Sequence, residues 1–207
     1  MTTTAARYLY LARHAEPTPD EAGLTERGRR QAALLGARLR SVPLAAVHHG
    51  PLPRAAQTAR LVGEQLVGVP VRVDEAAGDY PPYLPRPEEL PADSAEYLLG
   101  FLAGFEPAER AVGPELARQA LARFTGPVPG EQARHELVVT HAFLVGWLVR
   151  AALDAPPWRW LGLNAAHAAL TVIRYSPGRP TAVVCFNDLA HLPEELRWTG
   201  FPPELRP

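Results

Sequence analysis

The sequence predicts a single α/β domain, built as a three-layer α/β/α sandwich around a mainly parallel β-sheet. Short apolar segments of strand length alternate with segments whose hydrophobic residues recur at helical spacing. The 207 residues suffice for one sizeable core and are few for two ordinary domains. This alternation is typical of α/β proteins, in which helices connect parallel strands and cover both faces of the sheet.

The first part of the chain alternates strand and helix patterns. Residues 7–12 form an apolar strand pattern, and LTERGRRQAALLGARL then predicts a helix with Thr25 as its N-cap. The strand AAVHH follows, and after a Gly-Pro turn come the helix pattern RAAQTARLVGEQL and the strand VPVRV. Two strands joined by a helix normally lie parallel in the same sheet.

Residues 74–134 interrupt this alternation, and we interpret them as a cap insertion in a single domain of residues 1–207. The segment 74–93 is a proline-rich loop, and helical periodicity returns from Ser94 to Phe124 with breaks expected near Pro107 and Pro114. Such an insertion would cover the carboxyl ends of the strands, where α/β proteins place their sites.

The last part of the chain completes the sheet. ELVVT is a fully apolar strand pattern, and FLVGWLVRAAL follows it as a helix pattern. AALTVIRY and TAVVCFN, joined by SPGRP, predict an antiparallel hairpin at the sheet edge.

Composition excludes several classes of function. The net charge of -1 gives no electrostatic reason to expect a nucleic acid or an anionic membrane as a partner. All 21 basic residues are arginine, and without lysine the chain lacks the residue that P-loop nucleotide binding and Schiff-base chemistry require. The N-terminus lacks a signal-peptide pattern and Cys185 is the only cysteine, so we expect a cytoplasmic protein.

Polar side chains follow three of the predicted strands at their carboxyl ends. The first strand leads into Arg13 and His14, the second ends in His49 shortly before Arg54, and ELVVT leads into His141. These groups can meet at one edge of a parallel sheet. Guanidinium and imidazole groups crowded together repel one another unless an anion lies between them, and arginine matches phosphoryl oxygens well. The pattern favours a phosphoryl-binding site.

Four ordered motifs resemble those of the histidine phosphatase superfamily, also called phosphoglycerate mutase-like. LARHAE, LTERGRRQA, PLPRAAQTA and VVTHAFLVGWLVR correspond to the family's R-H-G, L-T-x-x-G-x-x-Q-A, S-P-x-x-R-A-x-Q-T-A and a later strand that ends in H-G. The resemblance spans roughly residues 7 to 175. The chain departs from it at Ala15 and Ala142, which replace glycines, and at Gly50, which replaces a serine.

The resemblance implies a catalytic role for each residue of the cluster. His14 would be the nucleophile that attacks phosphorus and forms a phosphohistidine. Arg13, Arg54 and His141 would hold the phosphoryl oxygens as their charge redistributes. Arg13 and His14 would then be paired by the phosphoryl group, or by a carboxylate when that group is absent.

The same chemistry needs a carboxylic acid to protonate the leaving oxygen and then to activate water. The family often carries this acid after the third strand, with the spacing D-x-x-L-x-E. In VDEAAGD the corresponding position is Asp79, with Glu75 as the alternative.

The substrate-binding residues are less patterned. His49 is a candidate donor in place of the missing serine, and Tyr80 and Tyr83 either line an aromatic pocket or simply pack within the loop. We interpret the remaining histidines as loop or packing residues: His48, His135, His167 and His191.

The expected function is that of a metal-independent phosphomonoesterase of the histidine acid phosphatase type, with no cofactor and a small-molecule phosphate ester as substrate. A phosphomutase is disfavoured because the segment 78–93 carries Arg86 alone among acids and prolines. A metal site is disfavoured because no H-x-H, H-x-x-x-H or H-E-x-x-H spacing occurs. A non-catalytic module that binds a phosphorylated ligand or a protein is a further alternative, and the oligomeric state stays open.

Overall fold

The computed structural model describes residues 3–206. Its strands are β1 (Thr4–Ala5), β2 (Arg7–Arg13), β3 (Leu44–His49), β4 (Val71–Val73), β5 (Val128–Pro129), β6 (Arg134–Thr140), β7 (Leu170–Tyr175) and β8 (Ala182–Asp188). Its α-helices are α1 (Glu26–Leu39), α2 (Pro53–Gly63), α3 (Ala95–Ala103), α4 (Pro107–Phe124) and α5 (Ala142–Ala152). Within the described range, no helix is both long enough and apolar enough to cross a membrane.

The main sheet has six strands in the order β4-β3-β6-β2-β7-β8. The pairs β4–β3, β3–β6 and β6–β2 are parallel, whereas β7 lies antiparallel to both β2 and β8. The short strands β1 and β5 pair separately. The predicted edge hairpin is therefore present as β7 and β8, and it joins β2 through a further antiparallel pair, while the remaining three pairs of the main sheet are parallel.

The alternation of side chains along the central strand β6 explains the three layers. Val138 packs into a core that contains residues of α4 and α5, whereas Leu137 and Val139 pack into a second core that contains residues of α1 and α2. Successive strand residues face opposite sides of a sheet, so an all-apolar strand is buried on both faces. The predicted α/β/α sandwich is confirmed.

The predicted insertion 74–134 packs into the same core as the rest of the chain. Phe124 and Ala120 of α4 share a core with Leu11 of β2. The expected helix break occurs at Pro107, which begins α4. The break expected at Pro114 is absent.

Helix α4 continues through Pro114 although proline removes one helical hydrogen bond, which ordinarily costs about 3 kcal/mol. The neighbouring Gly113 is buried so close to the loop that a Cβ there would lie 2.3 Å from the carbonyl oxygen of Pro81. We infer that tertiary packing against this loop and the core offsets the local cost.

Side chains of α1 and α2 hold the loop that follows β2. Gln31 accepts a hydrogen bond from the backbone N–H of Glu16 at 2.9 Å, and Gln57 accepts one from the N–H of Leu24 at 2.7 Å. Thr58 accepts a third, at 3.0 Å, from the N–H of the residue before Glu16. These polar motif residues therefore fix the carboxyl end of β2 in place.

Gly28 offers a test of how closely α1 meets this loop. A Cβ at Gly28 would lie 2.1 Å from the carbonyl oxygen of Glu16, a backbone atom that cannot move aside cheaply. We expect Gly28→Ala to lower the free energy of unfolding by about 2 kcal/mol or more. Gly100→Ala is the matched control, since Gly100 is exposed in α3 with open space around it and alanine should add up to about 1 kcal/mol through helix propensity. Urea denaturation of both variants measures the difference, and equal effects would contradict this packing.

Candidate active site

A cluster of polar side chains lies at the edge of the sheet where β2 and β6 end and α2 begins. The Nε of Arg54 lies 3.3 Å from the Nε2 of His14, and its Nη2 lies 2.8 Å from the Oδ2 of Asp79. The Nδ1 of His141 lies 3.3 Å from the same carboxylate oxygen, and its ring centre lies 5.0 Å from that of His14. The structure thus brings four of the predicted residues together, and their roles in a reaction stay predictions.

The backbone at the end of β2 is held from two sides. The N–H of His14 donates to the carbonyl of Thr140 at 2.8 Å, which ties it to the end of β6. The N–H of Ala168 lies 3.1 Å from the carbonyl oxygen of Arg13 and 3.3 Å from that of His14. His14 is therefore fixed by its backbone, independently of its ring.

The ring of His14 is buried, and its hydrogen-bond partner determines which ring nitrogen carries the proton. Its Nδ1 lies 2.8 Å from the carbonyl oxygen of Ala15, which can only accept, so Nδ1 carries the proton and Nε2 keeps its lone pair. Burial, with the nearby His141 and Arg13, lowers the pKa of His14 well below its usual value. The ring is neutral, and its unprotonated Nε2 faces Arg54.

Arg54 is buried at the start of α2 and contacts two carboxylates. Besides Asp79, it donates from Nη1 to the Oε2 of Glu21 at 2.9 Å. The side chain of Glu21 is 60% exposed, and its backbone lies in the left-handed region with φ of 56°. Sequence reasoning missed Glu21, because it lies in a proline-rich loop without any pattern.

Asp79 follows the 3-10 turn Glu75–Ala77. Burial raises the pKa of Asp79, but hydrogen bonding and charge from His141 and Arg54 outweigh it, so the pKa lies below its usual value. Asp79 is therefore ionised. Glu75 is exposed at the start of the turn and does not line the cavity described below.

Arg13 is paired differently from the prediction. Its Nη1 donates to the carbonyl oxygens of Ala165 at 2.8 Å and Gly200 at 2.6 Å, and burial lowers its pKa to about 10. The expectation that a carboxylate pairs Arg13 in the absence of phosphate is wrong. The reason is topological: β2 borders β7, and the segment that precedes β7 supplies the carbonyl of Ala165, whereas Asp79 follows β4 at the opposite edge of the sheet and meets Arg54.

A cavity of about 400 Å³ opens beside Arg54 and Asp79. It is lined by Glu21, Leu52, Arg54, Asp79, Tyr80, Phe105, Glu109 and Phe143. Tyr80 contributes its ring, while its hydroxyl donates to the carbonyl of Ala76 at 2.6 Å. The cavity therefore joins a cationic end to aromatic walls and two further carboxylates.

Two predicted substrate-binding residues lie outside the lining of this cavity. The hydroxyl of Tyr83 donates to Glu89 at 2.6 Å, and its ring is stacked 6.4 Å from that of Trp147, so it packs between the insertion and α5. His49 is half-buried at the end of β3, with Nδ1 2.8 Å from the carbonyl oxygen of Gly50. A role for His49 toward substrate stays a prediction.

The departure at Gly50 has a steric cause. A Cβ at Gly50 would lie 2.3 Å from the carbonyl oxygen of Ala77. Thr140 donates to that same carbonyl from its Oγ1 at 2.7 Å. The turn before Asp79 thus occupies the space that a serine side chain would need.

His167, interpreted from the sequence as a loop or packing residue, is a buried loop residue that lies beside the cluster. Its ring centre lies 5.2 Å from that of His14. Burial, with Arg13 and Arg54, lowers its pKa to about 3. The available signal was its place just before β7, because an antiparallel strand begins at the edge where its parallel neighbours end. His48, by contrast, lies against Glu136 and Phe124 as a packing residue.

Comparisons with known proteins identify the family of the chain. The family model described as the histidine phosphatase superfamily (branch 1) matches residues 9–188. The serine/threonine-protein phosphatase Pgam5, mitochondrial, of Caenorhabditis briggsae is 29% identical over 205 residues, covering 95% of this chain and 68% of that protein. The chain spans about two thirds of the length of such curated relatives.

Solved structures share the fold. Bacillus stearothermophilus YhfR superposes with a TM-score of 0.62 at 24% identity, covering 89% of this chain and 98% of that one. The Entamoeba histolytica phosphoserine phosphatase superposes with a TM-score of 0.61 at 18% identity, covering 90% of this chain and all of that one (100%).

The predicted cytoplasmic location is wrong on this comparison, since the curated relatives are named as mitochondrial proteins. A chain with one cysteine forms no internal disulfide in any compartment, so Cys185 carries no information about location. The match over residues 9–188 and the shared fold lead to one conclusion: the chain belongs to the histidine phosphatase superfamily, branch 1, and has phosphatases among its relatives.

Proposed function

We propose that the protein is a metal-independent phosphomonoesterase that hydrolyses a small-molecule phosphate ester through a phosphohistidine on His14. The observation that carries this proposal is the unprotonated Nε2 of His14, which lies 3.3 Å from Arg54 inside a cluster of arginine, histidine and aspartate side chains. The phosphatases among the relatives support hydrolysis as the reaction class. Neither a nucleic acid nor a membrane enters the proposal.

In the first step, the lone pair of Nε2 forms a bond to phosphorus as the ester P–O bond breaks in line. Arg54 turns from His14 and Asp79 to the phosphoryl oxygens, where Arg13 and His141 also donate. These donors stabilise the charge that shifts onto the oxygens in the transition state.

Asp79 acts first as the general acid toward the leaving oxygen and then as the general base toward water. A bound phosphoryl group takes Arg54 away from Asp79 and brings negative charge close, and both changes raise the pKa of that carboxyl. Asp79 then takes up a proton from solvent and gives it to the leaving oxygen. In the second step its carboxylate takes a proton from water, whose oxygen attacks phosphorus and breaks the P–N bond.

The charges around the cavity favour a phosphatase over a mutase. Among the lining residues Arg54 is the sole cation, facing the carboxylates of Glu21, Asp79 and Glu109. Arg86 is exposed and lies 3.3 Å from the carboxylate of Glu89. A second phosphate or a carboxylate on the substrate would therefore meet negative charge instead of a guanidinium.

His14→Ala is expected to abolish turnover of p-nitrophenyl phosphate and to leave the cooperative unfolding transition intact. Brief incubation of the wild type with ³²P-labelled substrate and quenching without acid should leave label on His14, in an acid-labile, base-stable bond. His135→Ala is the matched control, because His135 lies in β6 and is stacked on Tyr8 of β2, outside the cluster. This variant should keep both the activity and the label. EDTA should change neither the turnover nor the labelling of the wild type. Activity of His14→Ala near that of the wild type would refute the proposal.

Asp79→Asn is expected to lower kcat for alkyl phosphates by about 100-fold or more, because their leaving oxygen needs a proton. The loss for p-nitrophenyl phosphate should be about 10-fold or less, since p-nitrophenolate leaves without one. Glu75→Gln, which removes an exposed carboxylate, should change kcat for both substrates less than twofold. Steady-state kinetics of the two variants on both esters make this test. The reverse pattern would identify Glu75 as the acid.

A substrate panel tests the leaving-group preference. The aromatic walls Tyr80, Phe105 and Phe143 and the carboxylates beside them predict higher kcat/KM for esters of uncharged alcohols, polyols and phenols than for 3-phosphoglycerate or bisphosphates. We expect a difference of about 10- to 100-fold. Phosphoserine peptides belong in the panel because the curated relatives are named protein phosphatases. Preference for phosphopeptides, or isomer exchange of phosphoglycerate without phosphate release, would overturn the prediction.

A further inference from the structure

We propose that His167 is a further catalytic residue, which donates a hydrogen bond from Nε2 to an oxygen of the bound phosphoryl group. The proposal rests on the proposed function for the location of that group. It is carried by a chain of hydrogen bonds that fixes which nitrogen of His167 bears the proton.

The chain begins at Gln31, whose amide orientation is determined by its partners. Its Oε1 accepts from the N–H of Glu16 at 2.9 Å, and its Nε2 donates to the carbonyl of Leu196 at 2.8 Å. A carbonyl can only accept and an N–H can only donate, so the amide cannot be reversed. The same Nε2 lies 2.8 Å from the Oγ1 of Thr199, which therefore accepts from Gln31.

The hydroxyl of Thr199 in turn forms a hydrogen bond with His167. Its hydroxyl has one hydrogen to donate, and within residues 3–206 the Nδ1 of His167, 3.2 Å away, is the one acceptor that this hydroxyl contacts, so we infer that Thr199 donates to Nδ1. A neutral imidazole that accepts at Nδ1 carries its proton at Nε2. With its pKa lowered to about 3, the ring stays neutral with this one donor at neutral pH. Among the side-chain hydrogen bonds of residues 3–206, His167 makes its one through Nδ1.

The residues that orient His167 also orient Arg13. Gly200 has a φ of 65°, and a Cβ there would lie 2.3 Å from the ring of His167, so glycine is required. The carbonyl of Gly200 accepts from Arg13, and the carbonyl of Thr199 accepts from the N–H of His167 at 2.9 Å. This turn lies beyond residue 188, where the family match ends. One turn near the C-terminus thus holds both Arg13 and His167, whose ring centre lies 5.2 Å from that of His14.

The first experiment follows His167 directly by NMR of the full chain labelled with ¹⁵N-histidine. The free protein should show the Nε2–H tautomer for His167, assigned by the loss of its signals in His167→Gln. Addition of inorganic phosphate or orthovanadate should shift its Nε2–H resonance downfield in step with site occupancy. If the His14 signals report saturation while those of His167 stay unchanged, the proposal is wrong.

The second experiment measures function in variants. His167→Ala should lower kcat about 10- to 100-fold and raise the Kd for orthovanadate about 10-fold, as expected for a hydrogen bond to a charged group. His167→Gln keeps an N–H donor and should recover part of both losses. Thr199→Val should cost less, about 3- to 10-fold, and should bring the Nδ1–H tautomer into the spectrum. His135→Ala is again the control.

The outcomes separate this proposal from the proposed function. Turnover without any response of His167 to phosphate or vanadate would overturn the donor role alone. A response of His167 in a protein that hydrolyses no phosphate ester would overturn the proposed function and support the donor role. If His167→Ala fails to fold, the wild-type titration decides.

Discussion

Arg54 carries a positive charge into the protein interior, and the site is built around that charge. A buried cation needs anions or acceptors at short range, because desolvation otherwise costs several kcal/mol. Asp79, Glu21 and the lone pair of His14 supply them, each to a different nitrogen of the guanidinium. This arrangement gives all three nitrogens of the guanidinium a partner in the free protein, and in the proposed mechanism each partner must yield to the phosphoryl group. Exposed Glu21 gives way at the lowest cost, since water can solvate its carboxylate.

The sheet order decides which groups can reach that centre. Strands β2, β3 and β6 deliver His14, Arg54 and His141 from their carboxyl ends, as a parallel sheet dictates. Strand β7 adds a different contribution because it lies antiparallel to β2. The residues that precede β7 therefore lie at the same edge and bring in His167 and the carbonyl of Ala165.

The sequence alone could predict the fold class and the four clustered residues, because alternating strands and helices and the ordered motifs all encode one sheet edge. It could not predict Glu21 or the partners of Arg13. Those contacts join segments far apart in the chain, and neither a backbone carbonyl nor a loop carboxylate leaves a pattern in one sequence. Local rules also failed where packing dominated, as at Pro114, where α4 continues unbroken. The leaving-group preference and the His167 donor stay predictions until they are measured.

The competition for Arg54 has a consequence for catalysis. In the proposed mechanism, Glu21 and Asp79 release the guanidinium before a phosphoryl group binds it. Part of the binding energy then goes into breaking those contacts, so the affinity of the site for both the ester and the product phosphate is lower. In the transition state the phosphoryl oxygens and the leaving oxygen redistribute negative charge, and the donors around them then make their strongest contacts. Interactions that are stronger in the transition state than in the ground state raise kcat. In the proposed mechanism the carboxylates around Arg54 therefore weaken the binding of ester and product phosphate, since the groups that neutralise the empty site compete with its ligands, and any gain in kcat has to come from contacts that form only in the transition state.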